Sequence, residues 1–130
     1  SEGRGQRADV MIKTYRDLKV YQVSYEQAMA VFALTKGFPR EEIYSLTGQI
    51  RRASRSVPAN IVEGWAKRRY KDVFLRHLTD ALGSCEEVKV WLDFSIDCKY
   101  SDDKTCLELA QKYDEVAAML FALVKNWQKF

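Results

Sequence analysis

Apolar residues recur along the chain at spacings of three and four, which predicts helices, and nothing reads as a strand. From Asp17, a candidate N-cap, Leu18, Tyr21, Tyr25, Ala28, Met29 and Phe32 fall on one face of a first helix. It ends at KGFP, where Gly37 and Pro39 supply the stop signal. A second helix starts near REE, whose acidic residues suit a first turn, and carries Ile43, Leu46, Ile50, Ala53 and Val57 along one seam. The third, Tyr70 to about Cys98, aligns Tyr70, Phe74, Leu78, Ala81, Cys85, Val88, Leu92 and Ile96 in a stripe roughly 80° wide. The fourth, capped at YSDD, aligns Cys106, Leu109, Ala110, Tyr113, Ala117, Leu120, Phe121, Val124 and Trp127.

Four helices joined by short turns, each with one apolar stripe, bury those stripes most simply as an all-α, antiparallel up-down-up-down four-helix bundle. The third helix carries further apolar residues off its stripe, Val73, Leu75, Leu82, Val90 and Trp91. That is more than one bundle core needs, and it points to a subunit interface.

The 130 residues suit one domain, with no Ser/Gly-rich linker and no repeat. The opening SEGRGQRADV has no periodicity, so residues 1–13 are expected to be a disordered tail, with Met11 as a natural start, and residues 14–130 the bundle. No apolar run approaches 18 residues and no secretory pattern is seen, which predicts a cytoplasmic protein with no membrane contact. Cys85, Cys98 and Cys106 form no C-x-x-C and sit in helical patterns, as small buried thiols of a reducing compartment do.

Charge changes this picture. Residues 1–35 carry five basic and four acidic groups, residues 36–76 ten and four, and residues 77–130 six and ten. The positive charge is therefore concentrated in the second quarter, where a polyanion or an acidic protein face would meet it.

Within that quarter, GQIRRASRSVPANIVEGWAKRRYK (residues 48–71) combines seven basic residues with a proline in a helical pattern. On a helical wheel Arg51, Arg52 and Arg55 span about 100° on the side away from the Ile50, Ala53 and Val57 seam, so they are expected to share an outward face. Such like charges gain little for folding and suit contacts to phosphates or carboxylates elsewhere. Pro58 lacks an N–H and should end or kink the second helix after Val57, rotating Ile61 and Trp65 inward. Asn60 then serves backbone groups freed by the proline, Gly64 permits close approach of another helix, and Glu63 belongs to the same structural motif. Lys67, Arg68, Arg69 and Lys71 form a basic turn with Trp65 and Tyr70 interleaved, a pattern that suits nucleic acid. Along the helix it lies roughly 20 Å from the arginines.

Chemistry is otherwise sparse. His77 is the only histidine, with Asp80 three residues on, and the carboxylates of the third helix lack the E-x-x-H pattern of di-iron bundles. No catalytic residues, metal site or cofactor are assigned, and no enzyme is expected.

YRDLKVYQ, KGFPREEIYSLTGQIRRASRSVPANIVEGWAKR and FLRHLTDALGSCEEVKVWL resemble successive blocks of the 23S rRNA-intervening-sequence proteins, small bacterial four-helix-bundle proteins. The likeness spans about residues 14 to 95, and its most specific part is QIRRA-x-x-SVPANI-x-EG. Tyr21 stands where that family often has Trp, and Arg55 is an added charge inside the block. The resemblance implies a cytosolic, non-enzymatic homopentamer that binds nucleic acid, with RNA favoured over DNA. A more distant kinship, to accessory proteins of diversity-generating retroelements, implies an alternative: a pentameric scaffold that holds a protein partner such as a reverse transcriptase. In the first reading, nucleic acid would be bound by the arginine face and the basic turn, Arg51, Arg52, Arg55, Lys67, Arg68, Arg69 and Lys71.

Overall fold

The structure, a computed structural model, describes residues 11–127. Four helices follow one another: α1 Lys19–Thr35, α2 Leu46–Ala66, α3 Lys71–Asp97 and α4 Asp103–Lys125, with single 3-10 turns at Tyr15–Asp17 and Arg40–Glu42. No strand occurs among the described residues. Residues 1–10 of the expected tail lie outside them, and Ile12, placed in that tail by its sequence, packs against the core.

The helix starts differ from expectation for local reasons. Asp17 does not cap α1, because its carboxylate accepts from the amides of Lys13 and Thr14 at 2.8 and 3.1 Å and closes a capping box with Thr14. Leu18 is then extended, and α1 begins one residue later. REE likewise makes one turn rather than the first turn of α2. The chain reverses there, with the Ile43 carbonyl oxygen so close to Gly48 that a Cβ would meet it at 3.0 Å, and Ile43 itself stays outside the helix and partly exposed. Glu42 stitches this reversal: its carboxylate accepts from the Ser45 hydroxyl (2.5 Å), the Leu46 amide (3.1 Å) and the Tyr100 hydroxyl (2.7 Å).

Three of the four stripes stand much as their spacing indicates: in α2, Leu46, Ile50, Ala53 and Val57 are buried, with only Ile43 of that seam left outside the helix. In α3, Phe74, Leu78, Ala81, Cys85, Val88 and Leu92 are buried, with Ser95 rather than Ile96 closing the row and Tyr70 exposed at the N-cap. In α4, Cys106, Leu109, Tyr113 and Leu120 are buried with Val116 and Leu123, while Phe121 is exposed. Asp102 caps that helix, accepting from the Thr105 amide at 2.9 Å.

α1 is turned by about one residue from its expected face. Its buried row is Val20, Ser24, Ala28, Val31 and Thr35, whereas Tyr25 and Met29 are each 52% exposed. The two polar members are cheap to bury, because Ser24 donates to the Tyr21 carbonyl (3.0 Å) and Thr35 to that of Val31 (2.9 Å). Their small size lets α1 lie close to the core, and the aromatic row is left on the flank.

α2 does not end at Val57. It runs on to Ala66 with Pro58 buried inside it, and Ile61, Gly64 and Trp65 all face inward. Paired residues run in opposite directions along α2 and α3: Arg52 with Glu87, Ser56 with Ser84 (2.5 Å), Asn60 with His77 (3.1 Å). At the end of this row the helices approach closely at Gly64, where a Cβ would meet His77 Cβ at 3.0 Å and Phe74 Cδ1 at 3.3 Å and would push them back by a few tenths of an ångström. α1 neighbours α2 and α4, and α3 neighbours the same two helices, so the four close into a ring around one core.

Two further expectations change. Of the surplus apolar residues on α3, Leu75, Leu82 and Trp91 are half-buried against this chain's own core, and only Val73 and Val90 are exposed. Cys85 and Cys106 are buried, but Cys98 is exposed at the end of α3, where the chain leaves the helix. Burial pushes the Cys85 thiol up to about 12.

Two consequences can be measured. α3 ends with the Tyr100 amide on the Ser95 carbonyl and the Lys99 amide on that of Ile96, both at 2.9 Å, a Schellman closure that puts Lys99 in the left-handed region at φ 62°. A side chain there costs about 1 kcal/mol relative to glycine, so Lys99→Gly should raise stability by about that amount in urea titration. The Tyr100 hydroxyl, donating to Glu42, has its pKa pushed up to about 12, above the ordinary ~10. Its contribution is present below pH ~10 and should be lost as pH rises from there toward 12, a loss absent in Tyr100→Phe.

Candidate nucleic-acid interface

The aromatic flank of α1 ends at Phe32, and three cations converge on its ring. Lys36, one turn further along, holds its Nζ 4.8 Å from the ring centroid. From α2, the Arg51 and Arg55 guanidinium carbons lie 4.8 and 5.7 Å from the same centroid. Arg51 is aimed by a second contact, its Nε donating to the buried Thr35 hydroxyl at 2.8 Å. The ring face attracts each cation by about 0.5–1 kcal/mol at an exposed site, and the cations repel one another over similar distances. Among the described residues none of the three lies within 4 Å of a carboxylate.

Arg52 is not part of this group, contrary to the shared face expected of it. α2 lies between α1 and α3, so a rotation of about 100° from Arg51 carries Arg52 to the α3 side, where it stays exposed but within reach of Glu87. There it donates to Gln49 Oε1 (3.1 and 3.2 Å) and pairs with Glu87, which also accepts from Trp91 Nε1 at 3.1 Å. Its charge is answered within the chain.

The basic turn lies about 18 Å further along α2, at 1.5 Å per residue from Arg55. Its aromatic neighbours are used: Arg68 stacks over Trp65 at 4.0 Å and donates to the Trp65 carbonyl at 2.8 Å, and Arg69 lies 5.8 Å from the Tyr70 ring. Lys71 Nζ sits 4.9 Å from the ring of Trp127, just past the end of α4, and the Lys67 amide closes the helix end on Glu63 and Gly64 carbonyls. Lys67, Arg68, Arg69 and Lys71 are all exposed. The chain thus presents two basic areas at the two ends of α2, each built on aromatic rings.

Pro58, Asn60, Glu63 and Gly64 serve packing. Asn60 Nδ2 donates to the Ser56 carbonyl at 3.0 Å while its Oδ1 accepts from His77 Nδ1, so that nitrogen carries the proton. Glu63 Oε1 lies 4.0 Å from the same nitrogen. His77 is thereby engaged in joining α2 to α3. Among the described residues no group of three or more His, Cys, Asp or Glu could hold a metal ion, and no helix is long and apolar enough to cross a membrane.

Phe32 and Lys36 were not legible as site residues. Their own i,i+4 spacing was visible, but the arrival of Arg51 and Arg55 on the same ring depends on how α1 is rotated.

A family model described as 23S rRNA-intervening sequence protein matches residues 16–122. A solved crystal structure from Bacteroides thetaiotaomicron, of a protein with unknown function from the S23 ribosomal protein family, is similar in fold with a TM-score of 0.73. The two share 25% sequence identity over 82% of this chain and 98% of that one. No curated protein matches the chain.

The split of the arginines predicts opposite effects on stability. Arg55→Gln relieves like-charge repulsion and should leave stability in low salt unchanged or raised by a few tenths of a kcal/mol. Arg52→Gln leaves Glu87 without its cation and should lower it by about 0.2–1 kcal/mol. Urea titrations of both variants beside wild type read the difference.

Proposed function

The chain belongs to the 23S rRNA-intervening sequence protein family, and from that premise we propose that it is a non-enzymatic, oligomeric protein of the cytoplasm that binds nucleic acid through its two basic areas. Lys36, Arg51 and Arg55 contact the phosphate backbone at one end of α2, and Lys67, Arg68, Arg69 and Lys71 at the other. The observation that carries this is the cluster on Phe32: three cations gathered on one ring with no carboxylate among the described residues to answer them. Such an arrangement gains little for folding alone and gains its return when phosphates arrive and condensed counterions leave. RNA is favoured because the family takes its name from a sequence that intervenes in 23S rRNA.

A second function is supported by a different observation. Tyr25 and Met29 on α1, Val90 and Phe94 on α3 and Phe121 on α4 leave apolar surface exposed on several faces, which suits self-association, a homopentamer by family resemblance, or a protein partner such as a reverse transcriptase. In that case the oligomer is a scaffold and the arginines meet carboxylates of a partner.

Charge reversal separates the two. Arg51→Glu with Arg55→Glu should weaken RNA binding while the oligomer survives, and wild-type affinity should fall with salt by a log–log slope of about −0.7 to −0.9 per phosphate neutralised. If the arginines pair with a neighbouring subunit instead, the same change should dissociate the assembly in size-exclusion chromatography. Native mass spectrometry of wild type that finds only monomer at micromolar concentration would remove the oligomer from both accounts.

A further inference from the structure

Beside the Phe32 cluster, between the end of α1 and the start of α2, the connector 36–45 encloses an open cleft of about 800 Å³. That lies within the ~300–1,000 Å³ of small-ligand sites. Three cations line it, Lys36, Arg40 and Arg51, against one carboxylate, Glu41. Glu42 does not add to the negative side, because its carboxylate is turned away to Ser45, the Leu46 amide and Tyr100.

The cleft also holds Tyr44, which is 96% exposed. A single exposed aromatic residue needs no explanation, but this one is not carried by loose chain. The connector is closed by the amides of Phe38, Glu42, Ile43 and Ser45 on carbonyls three residues back, at 2.9–3.1 Å. Phe38 is buried and packs on Tyr100 at 5.5 Å between ring centroids. The ring of Tyr44 is therefore presented to water from an anchored turn, with guanidinium and ammonium groups around the same cleft. Thr47, also lining it, is buried and has a hydroxyl with no partner in the protein.

An exposed ring beside clustered cations is the combination that recognises a base together with its phosphate. A base can stack on such a ring only where its own face is free, which paired bases inside a duplex do not offer. We infer that this cleft takes one unpaired nucleotide of a nucleic-acid strand, its base against Tyr44 and its phosphate among Lys36, Arg40 and Arg51. The inference rests on the nucleic-acid function proposed above and adds a preference for single-stranded segments.

Fluorescence anisotropy with a labelled 12-nucleotide RNA, alone and as a duplex, against wild type, Tyr44→Ala and Tyr44→Phe, tests it, with thermal melts to confirm that the variants fold. Loss of one base–aromatic stack corresponds to a weakening of roughly 5- to 150-fold. Tyr44→Ala should therefore weaken single-strand binding to that extent and leave duplex binding within twofold, while Tyr44→Phe behaves as wild type. An equal loss on both substrates, or no loss on either, overturns the inference even where Arg51→Glu with Arg55→Glu still abolishes binding and the proposed function stands. Free AMP that binds as tightly as the 12-mer would make the ligand a mononucleotide and overturn the strand assignment. Failure of wild type to bind either RNA at low salt overturns the proposed function, and the inference with it.

Discussion

The approach of α2 to α3 at Gly64 sets the rest of the arrangement. With no side chain there, His77 and Phe74 come to within about a van der Waals contact of the α2 backbone, and the row of pairs above them follows in order: Asn60 with His77, Ser56 with Ser84, Arg52 with Glu87. Because the side chains on this flank are small or polar, the two helices lie close along most of the length of α2, and the register brings a carboxylate to Arg52. One arginine of three, still exposed, thereby has its charge answered within the chain. The functional consequence of the packing is that the remaining two stand on the other flank, facing α1.

What those two meet is decided by α1. Burying Ser24 and Thr35 in place of Tyr25 and Met29 looks unfavourable by hydrophobicity alone. Each hydroxyl returns to its own helix, however, and the small row allows α1 to sit against the core while the aromatic row faces outward. Phe32 then becomes a platform for cations rather than a core residue, and Thr35 both fills the core and orients Arg51. The same rotation that costs apolar burial creates the charged surface.

Electrostatics divides the cations of this surface into two kinds. Cations that neutralise a carboxylate of their own chain, as Arg52 does with Glu87 and Lys89 with Glu86 and Asp114, need nothing further. Lys36, Arg51 and Arg55 share a ring instead, an interaction that is weaker than the approach of phosphate and does not block it. Three of the four basic residues after α2, Arg68, Arg69 and Lys71, follow the same plan with Trp65, Tyr70 and Trp127.

Much of the fold was determined by the sequence itself. Period, caps and stops are local properties, so the number of helices, the buried rows of α3 and α4, the Asp102 cap and the close approach at Gly64 could be read from spacing and residue type. Pro58 was legible as a disturbance but not as one that a packed helix would run through, because whether α2 continues depends on the burial of Ile61, Gly64 and Trp65 against its neighbours. The face of α1 was misjudged for a related reason: hydrophobicity ranks Tyr25 above Ser24, and only the tertiary fit shows that small side chains belong where helices lie closest. The candidate site was half visible. Arg51, Arg55 and the basic turn stood out as charge, whereas the exclusion of Arg52 and the recruitment of Phe32, Lys36 and Tyr44 were decided by the tertiary structure. A pattern of period 3.6 says which residues share a face, but not which neighbouring helix that face will meet.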